Sequence, residues 1–586
     1  MIIQELCRYY ERVRETPAAN IAEPGFGSAK IHAEVVLDKA GNLVQFNDLR
    51  RPREVDQKLV PHEMIVPQPV KRSGVKAHES PNFLWDTTAF ALGAEAEKTP
   101  EVENKQKTAL KFKNFKKLHS KMLKASQDLY LEILVRFLEG WNPAAAVHLD
   151  HWEELAGGNV VFRLEGEREY FHQKASLRDL WLQQSQGPDN KTRGMCLVYG
   201  TTGPIERIHP DIRNVRGANT KGASIVSFNE DAYESYGKTQ NFNSPMSKRA
   251  AFAYSTALNY LLRPTSKQKM HIGDCTVVFW TERESAIERL FGQILEPGDL
   301  EAADNKEIRD FLDAMRGGKK LKELDDGMKF YILGLSPNAA RLSVRLWHAS
   351  SVGDIAQRIG QHFRDLQIEK SFDSEPDYPG IWSILRETCN KKSKETAAPL
   401  LAGALLRSVM LGTAYPQALF NAILNRIRAE TKEADHVNYI RAAVLKAILC
   451  RKRRLFNHGM EVPMTLDKDN HNAAYLLGRL FAVLEKTQKD ALGTGINATI
   501  KDRYFGAASA TPKMVFPQLM RLGQHHIAKA EYGSYYDKLI EEIVANIQEF
   551  PAHLTLDEQG MFCIGYYHQR RSFFSGKESR NQKDED

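Results

Sequence analysis

The chain has 586 residues, 42% of them hydrophobic and 26% charged; this is an ordinary globular composition, too long for one core, so about two to four domains are expected. Its 81 Lys and Arg against 74 Asp and Glu leave a net charge of +7, which permits nucleic-acid binding without demanding it. Six isolated cysteines (Cys7, Cys196, Cys275, Cys389, Cys450 and Cys563) argue against a CxxC metal site and a disulfide framework, and no apolar run reads as a membrane span.

The opening residues MIIQELCRYYERVRE place Ile2, Ile3, Leu6, Tyr9, Tyr10 and Val13 at helical spacing, and Pro17 ends the helix. Charge begins at Glu5 with no apolar signal core, so a cytoplasmic chain is expected. IHAEVVLDKAGNLVQFNDLR reads as two strands around an Asp38–Gly41 turn. Pro52, Pro61, Pro67 and Pro69 make the next block extended and exclude a helix. From 105 to 124, KQKTALKFKNFKKLHSKMLK carries eight lysines and no acid, with Phe112, Phe115, Leu118 and Met122 on one helical face. Strands are predicted at NVVFRLEGE, CLVYG, SIVSF and TVVFWT, and a hairpin at KFYILGLSPNAARLSVRLWH with its turn at Ser336–Ala339. After EKSFDSEPDYPGIW the period becomes helical nearly throughout. The expectation is therefore an α+β chain, with a strand-rich region at 1–370 and a helical bundle at 371–586. The polar tail SGKESRNQKDED is expected to lack order.

Enzyme signatures are sparse. GTTGPIER lacks the lysine of a phosphate-binding loop, and neither a GxSxG elbow nor an HExxH helix occurs. His148, His151 and Glu154 could share a helical face and hold a metal, but no third histidine or cysteine accompanies them; His525 and His526 point two ways. No metal or cofactor is expected.

Two loops carry a nucleic-acid signal. In VPQPVKRSGVKAHESPNFLWD, Lys71, Arg72 and Lys76 surround Ser73-Gly74 as phosphate contacts, while Gln68 and Asn82 are of the type that reads base edges. In NVRGANTKGASIVSFNEDAYESYGKTQNFNSP, Gly217 and Gly222 bracket Asn219, Thr220 and Lys221, with Arg216 adding charge. Glycines there let backbone approach a ligand. Downstream, Tyr233 and Tyr236 are candidates for base stacking, with Lys238, Gln240, Asn241 and Asn243 as hydrogen-bonding types. Both loops also fit ordinary solvated turns. The lysine helix, through Lys111, Lys113, Lys116 and Lys117, spans about 30 Å of positive charge suited to a polyanion. The run Arg451, Lys452, Arg453, Arg454 ends a helix and fits either phosphate contact or favourable C-terminal helix charge.

The ordered series IAEPGFGSAKIH, LVPHEMIVPQPVKRSG, PNFLWDTTAFALG, CLVYG…PIERIHP, VRGANTKGASIVSFNEDAYESYGK, AFAYSTALNYLL, IGDCTVVFWTE and YILGLSPNAARLSVRLW resembles the large subunit of a type I-C CRISPR surveillance complex, densely over residues 1 to 350 and loosely beyond. The resemblance implies a binder and not an enzyme. Such a subunit recognises the short duplex motif (PAM) beside the target, helps open the duplex, holds the displaced strand and docks a separate helicase-nuclease, while guide RNA reads the long target. Its partners would be a crRNA-containing complex of backbone subunits and target DNA. By analogy with lysine-bearing and glycine loops of related subunits, Lys71/Arg72 and Gly217–Gly222 are the matching positions. An RNA-processing nuclease and a purely structural scaffold are the alternatives.

The resemblance also gives meaning to Met460 and Met464 in HGMEVPMTLDKDN. The family makes its small subunit from an internal start, and translation from Met464 would yield roughly 123 residues, enough for a small bundle. Arg479, Lys486, Lys489, Lys501 and Arg503 would then be candidate contacts to the displaced strand.

Overall fold

The computed structural model describes residues 2–16, 19–52, 57–70, 72, 79–96, 102–185, 192–296, 306–319, 325–390, 398–433, 435–457, 459, 461–493 and 498–581. It is α+β, and it divides into two compact units, Met1–Pro210 with Val226–Tyr260, and Asp211–Ile225 with Leu261–Asp586.

In the first unit the amphipathic start forms α1 (Ile2–Arg14). Strands β1 (Phe26–Ile31), β2 (Ala33–Leu37), β3 (Leu43–Asp48), β4 (Arg51–Pro52), β5 (Leu59–Val60), β6 (His62–Pro67) and β7 (Trp85–Thr87) follow. Then come α2 (Thr88–Ala91), α3 (Val102–Ser126), α4 (Leu129–Gly140), α5 (Trp152–Leu155), β8 (Asn159–Leu164), α6 (Ala175–Ser185), β9 (Arg193–Met195), β10 (Thr202–Pro204) and α7 (Lys248–Leu262). The order β3-β2-β8-β7 makes a mixed sheet in which β2 and β8 run parallel; β1 and β6 form a separate antiparallel ribbon. Alternate residues of β2 and β8 (Val35, Leu37, Val160, Phe162) share a core with Phe112, Phe115, Leu131 and Leu134 of α3 and α4. Burying that face is what holds the lysine helix in place. The expected β2–β3 hairpin turns where Asp38 accepts from the Asn42 backbone and side chain, at 2.8 and 2.9 Å. CLVYG is not a strand. It makes the turn between the paired strands β9 and β10, with the Gly200 N–H on the Cys196 carbonyl and Leu197 61% exposed. An apolar run without sheet neighbours has no ladder to join.

In the second unit β11 (Lys269–Ile272), β12 (Cys275–Thr281), β13 (Lys329–Asn338) and β14 (Arg341–Ser351) form an antiparallel sheet in sequence order. Helices α8 (Ile287–Leu295), α9 (Lys306–Arg316), α10 (Val352–Leu366) and α11 (Ile381–Arg386) accompany it. The bundle is α12 (Pro399–Leu411), α13 (Gln417–Ala429), α14 (Tyr439–Phe456), α15 (Ala473–Leu492), α16 (Ile500–Ala508), α17 (Pro512–Ile527), α18 (Gly533–Val544) and α19 (Leu556–Asn581). The final helix therefore runs into the tail expected to lack order. The β13–β14 hairpin turns two residues later than its Ser-Pro-Asn-Ala text suggests: Asn338 pairs with Arg341, and Ala339 takes φ +53°. SIVSF contributes only a bridge at Ser224.

The boundary expected at 370 falls inside this unit. Tyr378 and Ile381 are 1% exposed within one apolar cluster that runs from Met270 to Tyr567. The prolines and acids of that stretch make an irregular connection whose Tyr378 packs edge-on against Phe363, centroids 5.0 Å apart. Bundle and sheet thus share a core.

That core holds buried charge. Asp365 on α10 is 3% exposed and meets Arg451 Nε at 3.0 Å and the two Arg454 terminal nitrogens at 2.8 and 2.7 Å. Arg451, 1% exposed, lies 4.1 Å over the Tyr415 ring. Burial pushes the Asp365 carboxyl up, but the Arg454 hydrogen bonds and the Arg451 charge outweigh it and hold it below its ordinary value. Its contribution to stability is therefore complete above the ordinary carboxylate range and is lost as pH falls through that lowered value. Asp365→Asn should cost about 3–5 kcal/mol in urea denaturation, because it strands a buried guanidinium. The double variant Asp365→Leu with Arg451→Met should recover much of that loss; a single variant as stable as wild type would show the pair to be idle.

Candidate nucleic-acid interface

The β1–β6 ribbon delivers the chain to the first candidate loop. Gln68 is exposed, its backbone N–H held by the Gly25 carbonyl at 2.9 Å. Beyond it the loop is closed from within. Asp86, fully buried, accepts from the Asn82 and Thr87 backbone N–H groups, each at 2.8 Å, and from both terminal nitrogens of Arg72, one at 2.9 Å. Arg72 also donates to the Ser80 carbonyl at 2.7 Å and covers the Phe90 ring at 4.1 Å. Burial pushes the Asp86 carboxyl up, and Arg72 opposes this. Asn82 is 4% exposed, with its side-chain oxygen taking the Val70 N–H at 2.9 Å. Arg72 and Asn82, expected to contact phosphate and base, are instead the clasp at the loop's base. A buried carboxylate requires a cation, and a buried amide requires its partner. The signal in the sequence was Asp86, an acid among apolar residues. Lys71 and Lys76 lie outside the described residues.

The clasp rests on a strained platform. Leu84 has φ +64° while completely buried, and its N–H donates to His119 Nε2 at 3.0 Å. Because Nε2 accepts, Nδ1 carries the proton and donates to the Phe115 carbonyl at 2.9 Å. Burial lowers the imidazole to about 4, so it stays neutral. Phe83 stacks on this ring and on Trp181. The lysine helix α3 thus braces the loop through His119.

On α3, Phe112, Phe115 and Met122 are buried, while Lys113, Lys117, Lys121 and Lys124 are exposed. Lys111 pairs with Glu95 at 2.5 Å, and Lys116 sits 4.9 Å over the Phe112 ring. The outward lysines form a positive row along one face.

The glycine loop belongs to the second unit. Ile212 and Ala223 bridge its ends, and Ser224 bridges Arg341 of β14. Gly217 has φ +77° and Gly222 φ +113°; a Cβ on Gly222 would stand 2.7 Å from Asp211 Cβ. Both positions require glycine. The Lys221 N–H is held by Asn219 Oδ1 at 2.9 Å, and the side chains of Arg216, Asn219, Thr220 and Lys221 are exposed. Lys238 lies in the first unit, in a tight turn with Tyr236 (φ +55°) and Gly237 (φ +67°). Asn243 ties that turn, accepting from the Ser235 N–H and donating to the Lys238 and Gln240 carbonyls. Tyr236 is 99% exposed, Tyr233 46%; Asn241 is buried.

Other predicted contacts are consumed by the fold. Arg451 and Arg454 hold Asp365, Lys452 pairs with Asp557 at 2.7 Å, and the exposed Arg453 pairs with Glu461 at 3.1 Å. Each residue of the run is ion-paired within the chain, but only Arg451 is buried, while Lys452, Arg453 and Arg454 stay partly exposed. Arg479 is 2% exposed against Gln569 and the Asp467 and Lys468 carbonyls, and Lys501 donates to the Glu433 carbonyl at 2.7 Å. Lys486 and Lys489 pair with Asp490 and Glu485; Arg503 is exposed. Glu154 binds Arg50 at 2.5 Å, and His151 is left-handed just before α5, so the histidine pair does not share a helical face. Among the described residues no three His, Cys, Asp or Glu side chains are grouped to hold a metal, and no helix is long and apolar enough to cross a membrane.

The geometry is thus one of braced loops and cationic rows. No curated protein matches the chain. The family model described as CRISPR-associated protein (Cas_Csd1) matches residues 6–574, nearly the whole length, and the chain therefore belongs to this family of CRISPR-associated proteins.

Proposed function

We propose that the chain is the large subunit of a type I-C crRNA-guided surveillance complex, binding nucleic acid without cleaving it. The observation that carries this reading is the face of α3: four exposed lysines in a row, Lys113, Lys117, Lys121 and Lys124, on a helix whose opposite side is locked into the core. Like charges so arranged favour a polyanion. In this reading the loop of Gln68, Lys71 and Lys76, clasped by Arg72 and Asp86, meets the PAM duplex. The glycine loop presents Arg216, Asn219, Thr220 and Lys221 for the duty of opening DNA, and Tyr236 offers a stacking face to an unpaired base. The helical bundle resembles the small subunit, further copies of which arise from a start at Met460 or Met464. A separate helicase-nuclease docks on the assembled complex, which works in the cytoplasm.

The deciding experiment measures binding of PAM and non-PAM duplexes to the complex. Gln68→Ala should weaken PAM duplex by about 1–3 kcal/mol if a base contact is lost, and non-PAM duplex much less. Arg72→Ala should weaken both and lower thermal stability, since it opens the clasp; equal binding by wild type and both variants would remove this loop from recognition. Changing Lys113, Lys117, Lys121 and Lys124 to Gln should flatten the dependence of log affinity on log salt by up to about 0.9 per lost duplex phosphate contact, and an unchanged slope would make the helix an idle surface. Finally, Met460→Leu with Met464→Leu should abolish a small C-terminal product that co-purifies with the wild-type complex. Its persistence would place the start elsewhere, and its absence from wild type would end the idea.

A further inference from the structure

We propose that Arg345 and Arg407 form a phosphate-binding site, presented by a bulge in β14, which extends the glycine loop along one strand; this rests on the nucleic-acid reading above. In the β13–β14 ladder Gly334 pairs with Leu346 and the next residue, Leu335, with Val344, so Arg345 is left without a partner. The extra residue breaks the alternation written in the sequence. Leu342 and Leu346 are buried, but Val344 between them is 43% exposed, and Arg345 is exposed beside it. Bulges re-aim side chains in this way and recur near functional sites. The position opposite is built for it. A Cβ on Gly334 would stand 2.9 Å from Cys275 Sγ and 3.0 Å from Leu346 Cβ.

Arg407 reaches the bulge from α12, its Nη2 donating to the Arg345 carbonyl at 2.7 Å. That bond anchors a second exposed guanidinium at the position that presents the first. Among the described residues neither is ion-paired to a carboxylate; Asp274, exposed in the β11–β12 turn, pairs with neither. Guanidinium forks suit phosphate oxygens better than any other common anionic group except carboxylate. Continuity selects between those two. The same strand is tied at its start to the glycine loop, by Ser224 N–H to the Ala340 carbonyl at 3.1 Å and Leu342 N–H to the Ser224 carbonyl at 2.9 Å. Four residues of strand then place Arg345 about 13 Å further on. Arg216 and Lys221 on the loop and the arginine pair on the strand therefore belong to one tethered basic stretch of the same unit, several phosphates long. That length fits the backbone of a single nucleic-acid strand.

The test titrates a fluorescent 30-nucleotide oligothymidylate with the full-length chain over a salt series. Arg345→Gln with Arg407→Gln should reduce the slope of log affinity against log salt by about 1.4, two single-strand contacts, with an unchanged thermal midpoint, and Arg345→Lys with Arg407→Lys should keep most of the slope. A Gln pair that binds like wild type overturns the site while leaving the nucleic-acid reading intact. No binding by wild type overturns both. Polyglutamate is added as a competitor: if it loses affinity for the Gln pair while oligothymidylate does not, the site takes an acidic protein and the proposal fails.

Discussion

A carboxylate that stays charged out of water needs a cation or hydrogen-bond donors around it, and pairing with arginine organises both units. Asp86 takes Arg72 in the first unit, where Glu34 likewise takes Arg163 at 2.7 Å. Asp365 takes Arg451 and Arg454 in the second, where Arg441, 1% exposed, lies between Glu387 at 2.7 Å and Glu430 at 2.5 Å. Some of these pairs join segments far apart in sequence, as Glu34 with Arg163 and Asp365 with Arg451, and others close a local loop, as Asp86 with Arg72. The carboxylates are few, yet they decide which of the chain's many basic residues remain outside.

The pairing sorts the cations by a simple physical rule. Those beside a buried acid become structure, and those on a face whose opposite side is apolar remain available to a polyanion. Arg451 and Lys117 have the same sign and similar neighbours in sequence, and the fold gives them opposite roles. Net charge of +7 thus overstates some regions and understates others. The lysine row on α3 and the basic side chains of the glycine loop remain exposed.

Backbone constraint supplies the rest of the presentation. The left-handed Leu84, braced by His119, is held in a conformation that a leucine avoids, whereas the left-handed positions 217 and 222 are taken by glycines that adopt it freely. The cost of that strain is met by packing elsewhere, for Leu84 by a stack of Phe83, His119 and Trp181.

The sequence by itself determined the elements whose signal is local. The first helix, the hairpin at Asp38–Gly41, β8, β12, the lysine helix and the main helices of the bundle follow from periodicity. Membership of a CRISPR-associated family was legible in the ordered blocks of text. Only tertiary structure decided what depends on neighbours far along the chain. CLVYG became a turn because no strand lies beside it to complete a ladder, and the bulge at Arg345 arose from what packs around Gly334. The core crosses residue 370 because the sheet's apolar side and the helices after it bury one another. Asn82, Arg451, Arg479 and Lys501 left the surface, and Arg72 was drawn into a pair, for the same reason: exposure and pairing are properties of three-dimensional neighbourhood, and a side chain's type records only what it can do, not which partner reaches it first.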